Sequence, residues 1–335
     1  HAPLMSKLSK VLTEDPGWGF EEGLDEEEEE DSPIRKVLHA VGTELVEGPL
    51  SKDILRHIDT VFDGENFGAQ PKFIMDMGCG DGSLLLAIYS HIQKNLPRGQ
   101  HLGDHPLTMI AVDSREEMRV AAAVKLSGAG VPHLTQKGDI GKPAETLALL
   151  KKTKKNRIEL GKILHVRAFQ DSRRAYVPPK EPLDDGSPSA LFAEAQLGDS
   201  VHLDKEGSPV RAVDIFCSLV EHLRRWSGAL QGSFGVCMLE EMMLDVATTR
   251  RFFNDSLGFS SDLISALARR CKVPPGAFAM AAAMVGLFPA KYDQVQTYPE
   301  QGTYTLVVNQ HLVRRPYRIR LAELSDLPEL LRLES

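Results

Sequence analysis

No apolar run in this chain approaches the roughly 18 residues of a membrane span, and no hydrophobic leader opens it, so we expect no membrane partner and a cytoplasmic location. A sustained basic stripe is also missing. Lys and Arg number 39 against 47 Asp and Glu, a net charge of −8, which argues against a nucleic-acid groove. The one basic knot, residues 151–155, reads as a solvated helix end. Cysteine is scarce: Cys79, Cys217, Cys237 and Cys271 show no C-x-x-C spacing, and three of them sit in apolar runs. That excludes a disulfide scaffold or zinc ribbon and predicts reduced core residues of an intracellular protein. His91, His101 and His105 lie close in sequence, but their irregular spacing in a Pro/Gly loop predicts solvent-facing side chains rather than a metal site.

What the chain does have is length and a regular rhythm. Its 335 residues suffice for one large or two small domains. Residues 1–33 include the nearly all-acidic run 21–31, which repels itself and reads as a disordered tether. Apolar residues at helical spacing over 34–62 (Ile34, Val37, Leu38, Val41; Leu50, Ile54, Ile58, Val61) predict two helices covering a sheet edge or the mouth of a ligand site. The chain starts at His1 and stops at Ser335 inside a helical pattern, so we expect a piece of a longer protein.

The organising stretch is 72–82. The apolar run 73–77, carrying Asp76, feeds into Gly78, Gly80 and Gly82, and a helical pattern follows over 83–93. Alternating glycines make a floor free of side chains, where a small flat ligand can lie. A dinucleotide fingerprint needs G-x-G-x-x-G, and this chain has G-x-G-x-G with an acid two residues before it, which disfavours a NAD-dependent oxidoreductase. The stretch instead resembles the loop of S-adenosylmethionine (SAM) methyltransferases. Asp113, ending the apolar strand 107–113, matches that family's ribose-binding acid, and Asp139, after a further short strand, matches its adenine-side position. A charged acceptor bonded to a hydroxyl is worth about 1.5–3 kcal/mol.

Strand patterns at 161–169, 234–243 and 302–313 alternate with helical patterns at 115–128, 144–154, 213–226, 248–253, 260–271 and 277–287. The predicted fold is α/β, a Rossmann-like class I SAM methyltransferase with a mostly parallel sheet and helices on both faces. In such sheets ligands sit beyond the strand C-termini, where Gly78, Gly80, Gly82, Asp113, Asp139 and Asp171 all fall. Residues 171–211, rich in proline and glycine, break the rhythm and are expected to be a lid over the transfer site.

Further stretches resemble one subfamily, the methyltransferase domains of polyketide-synthase loading modules that precede an acetyltransferase-like (GNAT) domain, as in the saxitoxin, apratoxin and gephyronic acid modules. They are residues 166–174, 218–226, 278–289 and 298–312, while 315–330 looks like the start of the GNAT domain. The resemblance divides the chain into a methyltransferase domain over 34–313 and a truncated GNAT-like start over 314–335. It implies methyl transfer from SAM to the α-carbon of a malonyl thioester on an acyl carrier protein, assisted by Fe or Mn acting as a Lewis acid on the enolate. Asp171 and Arg174 match an F-x-D-x-x-R stretch beside the reaction centre, and Glu240 matches the acid of an E-L-H stretch.

The resemblance departs at the metal. The family's H-G-x-S-x-Q reads here from Leu257 to Asp262, and the His of E-L-H is Met242. Asp262 is then the candidate metal ligand. If metal polarisation supplies ~4 kcal/mol, its loss slows the step about a thousandfold. An altered metal site using Asp262 and Asp171, metal-free methylation with Arg174 balancing enolate charge, a degenerate SAM-binding or scaffold domain, and an O- or N-methyltransferase all remain open on sequence.

Overall fold

The computed structural model describes residues 51–152, 158–172, 174–198, 200–204, 206, 208–253, 262, 265–266, 270–291, 295–298, 305–322 and 326. The expected acidic tether, the first of the two leading helices, most of the 254–269 stretch and the greater part of the GNAT-like segment lie outside these residues.

Helix α1 (Ser51–Phe62) leads into β1 (Phe73–Met77), whose burial is nearly continuous, as a strand covered on both faces requires. Then come α2 (Ser83–Asn95), β2 (Thr108–Asp113), α3 (Glu116–Gly128), β3 (His133–Lys137), α4 (Pro143–Lys152) and β4 (Ile163–Ala168). The second half holds α5 (Pro188–Leu197), a short hairpin of β5 (His202–Leu203) and β6 (Pro209–Val210), α6 (Ala212–Ala229) and β7 (Val236–Met242). It closes with α7 (Val246–Arg251), α8 (Pro275–Met284), β8 (Leu287–Pro289), β9 (Val295–Tyr298) and β10 (Thr305–Arg314).

The main sheet runs β3-β2-β1-β4-β7-β10-β8. Its first five strands are parallel, and β10 runs antiparallel between β7 and β8. Strand alternation sends Ile74 to one face and Met75 and Met77 to the other, building two cores. One lies beneath α1, α2 and α3. The larger joins the sheet to α5, α6 and α8, with Phe216, Trp226 and Phe278 among its fully buried side chains. All four cysteines are buried and free, as their apolar surroundings predicted.

One sequence expectation needs correction, and one segment holds more regular structure than its composition suggests. Within residues 171–211, expected to be a lid, Ser187 and Pro188 start a helix: the Ser187 hydroxyl accepts from Ala190 N at 3.3 Å and Pro188 takes the first helical position. Helix α5 buries Ala190, Ala193 and Leu197 in the larger core. The helix expected over 277–287 ends at Met284, since Gly286 turns the chain at φ 80°. Residues 287–289 then form β8, a strand too short to show alternation in sequence.

Trp226 ties the layers together. It is 1% exposed, its indole N–H donates to Ile140 O at 3.0 Å, and its ring carries the Arg167 guanidinium 4.5 Å from its centroid. Trp226→Ala should cost roughly 3–5 kcal/mol in denaturant unfolding through cavity formation. Trp226→Phe, which keeps the packing but strands Ile140 O, should cost about 1–2 kcal/mol.

Candidate active site

The three loop glycines all have positive φ, yet each is needed for a different reason. At Gly78 (φ 95°) a Cβ would stand 2.4 Å from the Gln170 side chain, and at Gly82 (φ 80°) it would press on Ala122 of α3 at 3.1 Å. At Gly80 (φ 51°) it would meet nothing within 4 Å, so this glycine lines open space. The loop is pinned from outside. Gly78 N and Cys79 N both donate to Val112 O at the tip of β2, at 2.8 and 3.0 Å, and Lys125 of α3 binds Asp81 and the Ser83 hydroxyl.

Around this cradle stand the predicted acids. Asp113 accepts from Gly80 N at 3.1 Å through one oxygen and from Arg115 N at 3.1 Å through the other, so strand end and glycine loop hold each other in place. Asp76 is 3% exposed and its Oδ1 is buried without a hydrogen-bond partner. Burial, and then the charge of Asp113, push its carboxyl up to about 8. A buried acid lacking its counter-charge beside an open cradle suits a cationic ligand, and SAM carries its positive charges on the sulfonium and ammonium groups. Asp139 lies beyond β3, exposed, its carboxylate accepting from Gly141 N at 2.7 Å. The residues present therefore fit SAM.

A second polar cluster occupies the neighbouring strand tips. The turn after β4 starts at Phe169, a non-glycine residue held at φ 54°, and its next three residues converge on Glu240 of β7. That carboxylate accepts from Gln170 N at 2.7 Å, Asp171 N at 2.9 Å, Ser172 N at 3.2 Å and the Ser172 hydroxyl at 3.1 Å. Burial, then the negative charge of Asp171, push Glu240 up to about 7. Gln170 spans from Ala168 O to Gly78 O, both at 3.2 Å, and so joins this turn to the glycine loop.

Asp171 is buried between Arg167, which ion-pairs with one oxygen, and His222 Nε2, 2.9 Å from the other. Burial alone would raise its carboxyl, but Arg167 and the His222 hydrogen bond hold it down at about 2. Burial pushes His222 down to about 4, against the pull of Asp171, so the imidazole is neutral at pH 7. Since Asp171 can only accept, Nε2 bears the hydrogen and Nδ1 the lone pair. Arg174 donates through Nη1 to the Ser218 hydroxyl at 2.7 Å.

The structure thus brings Asp171, Arg174 and Glu240 into one network, and Asp76, Asp113 and the three glycines into another beside it. Asp262 is elsewhere engaged: its carboxylate pairs with the buried Lys272 at 2.6 Å and accepts from Leu244 N at 3.2 Å. Lys272 also pairs with Glu241 at 2.9 Å. Among the described residues no three His, Cys, Asp or Glu side chains converge on a point where a metal could sit. The donors among the described residues do not fit Fe or Mn. Sequence reasoning did not single out Arg167, Gln170, Ser218 or His222. The last two are four apart on the buried face of α6, and that pair of polar groups on an otherwise apolar stripe was the available signal.

A parallel sheet closed by one antiparallel strand, with a glycine cradle and acids at successive strand ends, defines a class I SAM-dependent methyltransferase. The chain belongs to the AprA MT2-like domain family, whose model matches residues 32–310. It is a methyltransferase domain of the polyketide and natural-product type. No protein of curated function matches the sequence significantly. Similar solved structures include the SAM-dependent methyltransferase SibL in its apo form, with 13% identity over 84% of this chain and 59% of that one (TM-score 0.41). An O-methyltransferase family protein from Burkholderia thailandensis shows 12% identity over 92% and 68% (TM-score 0.44). The plantazolicin methyltransferase BamL, in complex with a triazolic desmethylPZN analogue and SAH, shows 12% over 80% and 74% (TM-score 0.41).

Because Asp76 holds a proton at pH 7 and a cation favours its carboxylate, SAM binding should release about one proton at pH 7 and tighten as pH rises toward 8. Calorimetry in buffers of different ionisation enthalpy checks this, and Asp76→Asn should remove the proton release. Asp113→Asn should weaken SAM about ten- to hundredfold.

Proposed function

We propose that this domain transfers a methyl group from SAM to the α-carbon of a malonyl group carried as a thioester on an acyl carrier protein, in polyketide starter-unit formation. One observation carries the reading. A neutral His222 on α6 is oriented by Asp171, and Asp171 and Arg174 follow Gln170 on the turn that touches the glycine loop at Gly78.

The chemistry needs a base and a way to hold negative charge. An α-carbon flanked by two carbonyl groups must lose its proton before it can form a bond to the methyl carbon, as the bond from that methyl to sulfur breaks and the sulfonium charge is discharged. SAM bound on the cradle supplies the electrophilic methyl. His222 Nδ1 accepts the proton, and the adjacent Asp171 carboxylate stabilises the imidazolium that results. Arg174 offsets the negative charge left on the acyl group. Glu240 acts as a positioning residue, since both of its oxygens are spent on the turn. The pairing of Asp262 with Lys272 leaves no metal step to derive. The carrier protein and a GNAT-like neighbour following residue 314 are the partners this reading requires.

A second reading, a domain that binds SAM without turning it over, is favoured by the commitment of the carboxylates of Asp171, Glu240 and Asp262 to internal partners. Intact-protein mass spectrometry of a malonyl-loaded carrier protein incubated with the chain and SAM separates the two. We expect a gain of about 14 Da, one methyl replacing one hydrogen, placed on the α-carbon by fragmentation and unchanged by a chelator. His222→Gln should slow the gain at least a hundredfold with little change in SAM affinity. No gain while SAM still binds would establish the second reading.

A further inference from the structure

Arg174 is 9% exposed, and its surroundings account for only part of it. Its backbone N donates to Asp171 O at 3.2 Å, its carbonyl accepts from Cys271 N at 2.8 Å, and Nη1 donates to Ser218 Oγ at 2.7 Å. Nε and Nη2 are buried and have no hydrogen-bond partner. These two nitrogens share one edge of the guanidinium plane, and their N–H bonds point the same way. The nearby Asp171 carboxylate does not serve them; it holds Arg167 with one oxygen and His222 with the other. His222 donates to Asp171, and His202 spends its Nε2 on Lys272 O at 2.7 Å.

Two parallel, unmet donors on a buried cation are a costly arrangement unless a planar anion completes it. The anchored Nη1 fixes the orientation of the fork, so the empty edge is pre-set rather than free to swing. A carboxylate matches it in spacing and plane, with each oxygen accepting one N–H, in a way a lysine ammonium cannot reproduce.

We infer that the Nε–Nη2 edge of Arg174 is the seat for a free carboxylate on the acyl group, so that the site selects a dicarboxylic thioester over a simple acyl thioester. This rests on the methyl-transfer reading for the identity of the acyl group, while the oxyanion seat itself rests on geometry alone. The same oxyanion chemistry could be met by the phosphate of a carrier protein's prosthetic arm, so the test separates the two.

Malonate and inorganic phosphate are titrated separately by calorimetry into the full chain saturated with S-adenosylhomocysteine. Malonate should bind, phosphate should bind at least tenfold more weakly, and both Arg174→Lys and Arg174→Gln should weaken malonate at least tenfold while leaving S-adenosylhomocysteine affinity intact. Ser218→Ala, which removes only the anchor on Nη1, should weaken malonate two- to fivefold in a chain that keeps its unfolding midpoint, and it serves if the Arg174 variants do not fold. Malonate affinity unmoved by these changes, absence of malonate binding, or an Arg174-dependent preference for phosphate would each overturn the assignment. If malonate binds through Arg174 but no methyl reaches a malonyl carrier, the methyl-transfer reading fails and the carboxylate seat stands. In competition with an acetyl-loaded carrier, the wild type should favour the malonyl form at least tenfold and Arg174→Gln should not.

Discussion

Four donors on one buried carboxylate hold the centre of this molecule. Glu240 is fully buried on β7, where an unpaired charge would be prohibitive, and it is tolerable because the amides of residues 170–172 and the Ser172 hydroxyl all point at it. The same contacts force the turn after β4 into one shape. Phe169 takes the left-handed conformation that entry to this turn demands, a local strain that the four hydrogen bonds offset. From that turn Gln170 reaches the glycine loop and Asp171 faces α6. The glycine loop and the buried polar cluster around Asp171 are therefore two sides of a single clamp.

Charge then propagates outward in alternating sign. Arg167 and His222 satisfy Asp171, Arg167 rests on the Trp226 ring, and Trp226 in turn closes on the backbone beyond Asp139. A buried network of this kind adds little net stability, but removing one member leaves its partner uncompensated, so the elements that carry it are locked in register. Lys272 with Glu241 and Asp262 repeats the arrangement on the other side of Glu240's strand. The first network leaves Nε and Nη1 of Arg167 and one edge of Arg174, its Nε and Nη2, without a hydrogen-bond partner.

The backbone of the site was legible in sequence because glycine and strand-end acids act locally. Gly78, Gly80 and Gly82 announce a turn with positive φ, and Asp76 and Asp113 announce themselves by interrupting apolar runs, so the parallel half of the sheet and its cradle could be written down from spacing. Strand β8 was not legible, since three residues carry no periodicity, nor was α5, whose starting proline looks like a breaker when its core partners on α6 and α8 are unseen.

By itself, then, the sequence determined the α/β class, the glycine loop and the acids placed around it, because those follow from backbone conformation and from residues adjacent along the chain. Tertiary structure alone decided which polar side chains would act together. His222 meets Asp171 across 51 residues, Glu240 meets the turn across about 70, and Asp262 is drawn to Lys272. Pairings at such separations depend on which helix packs on which strand tip, and on each buried charge finding a partner in that packing.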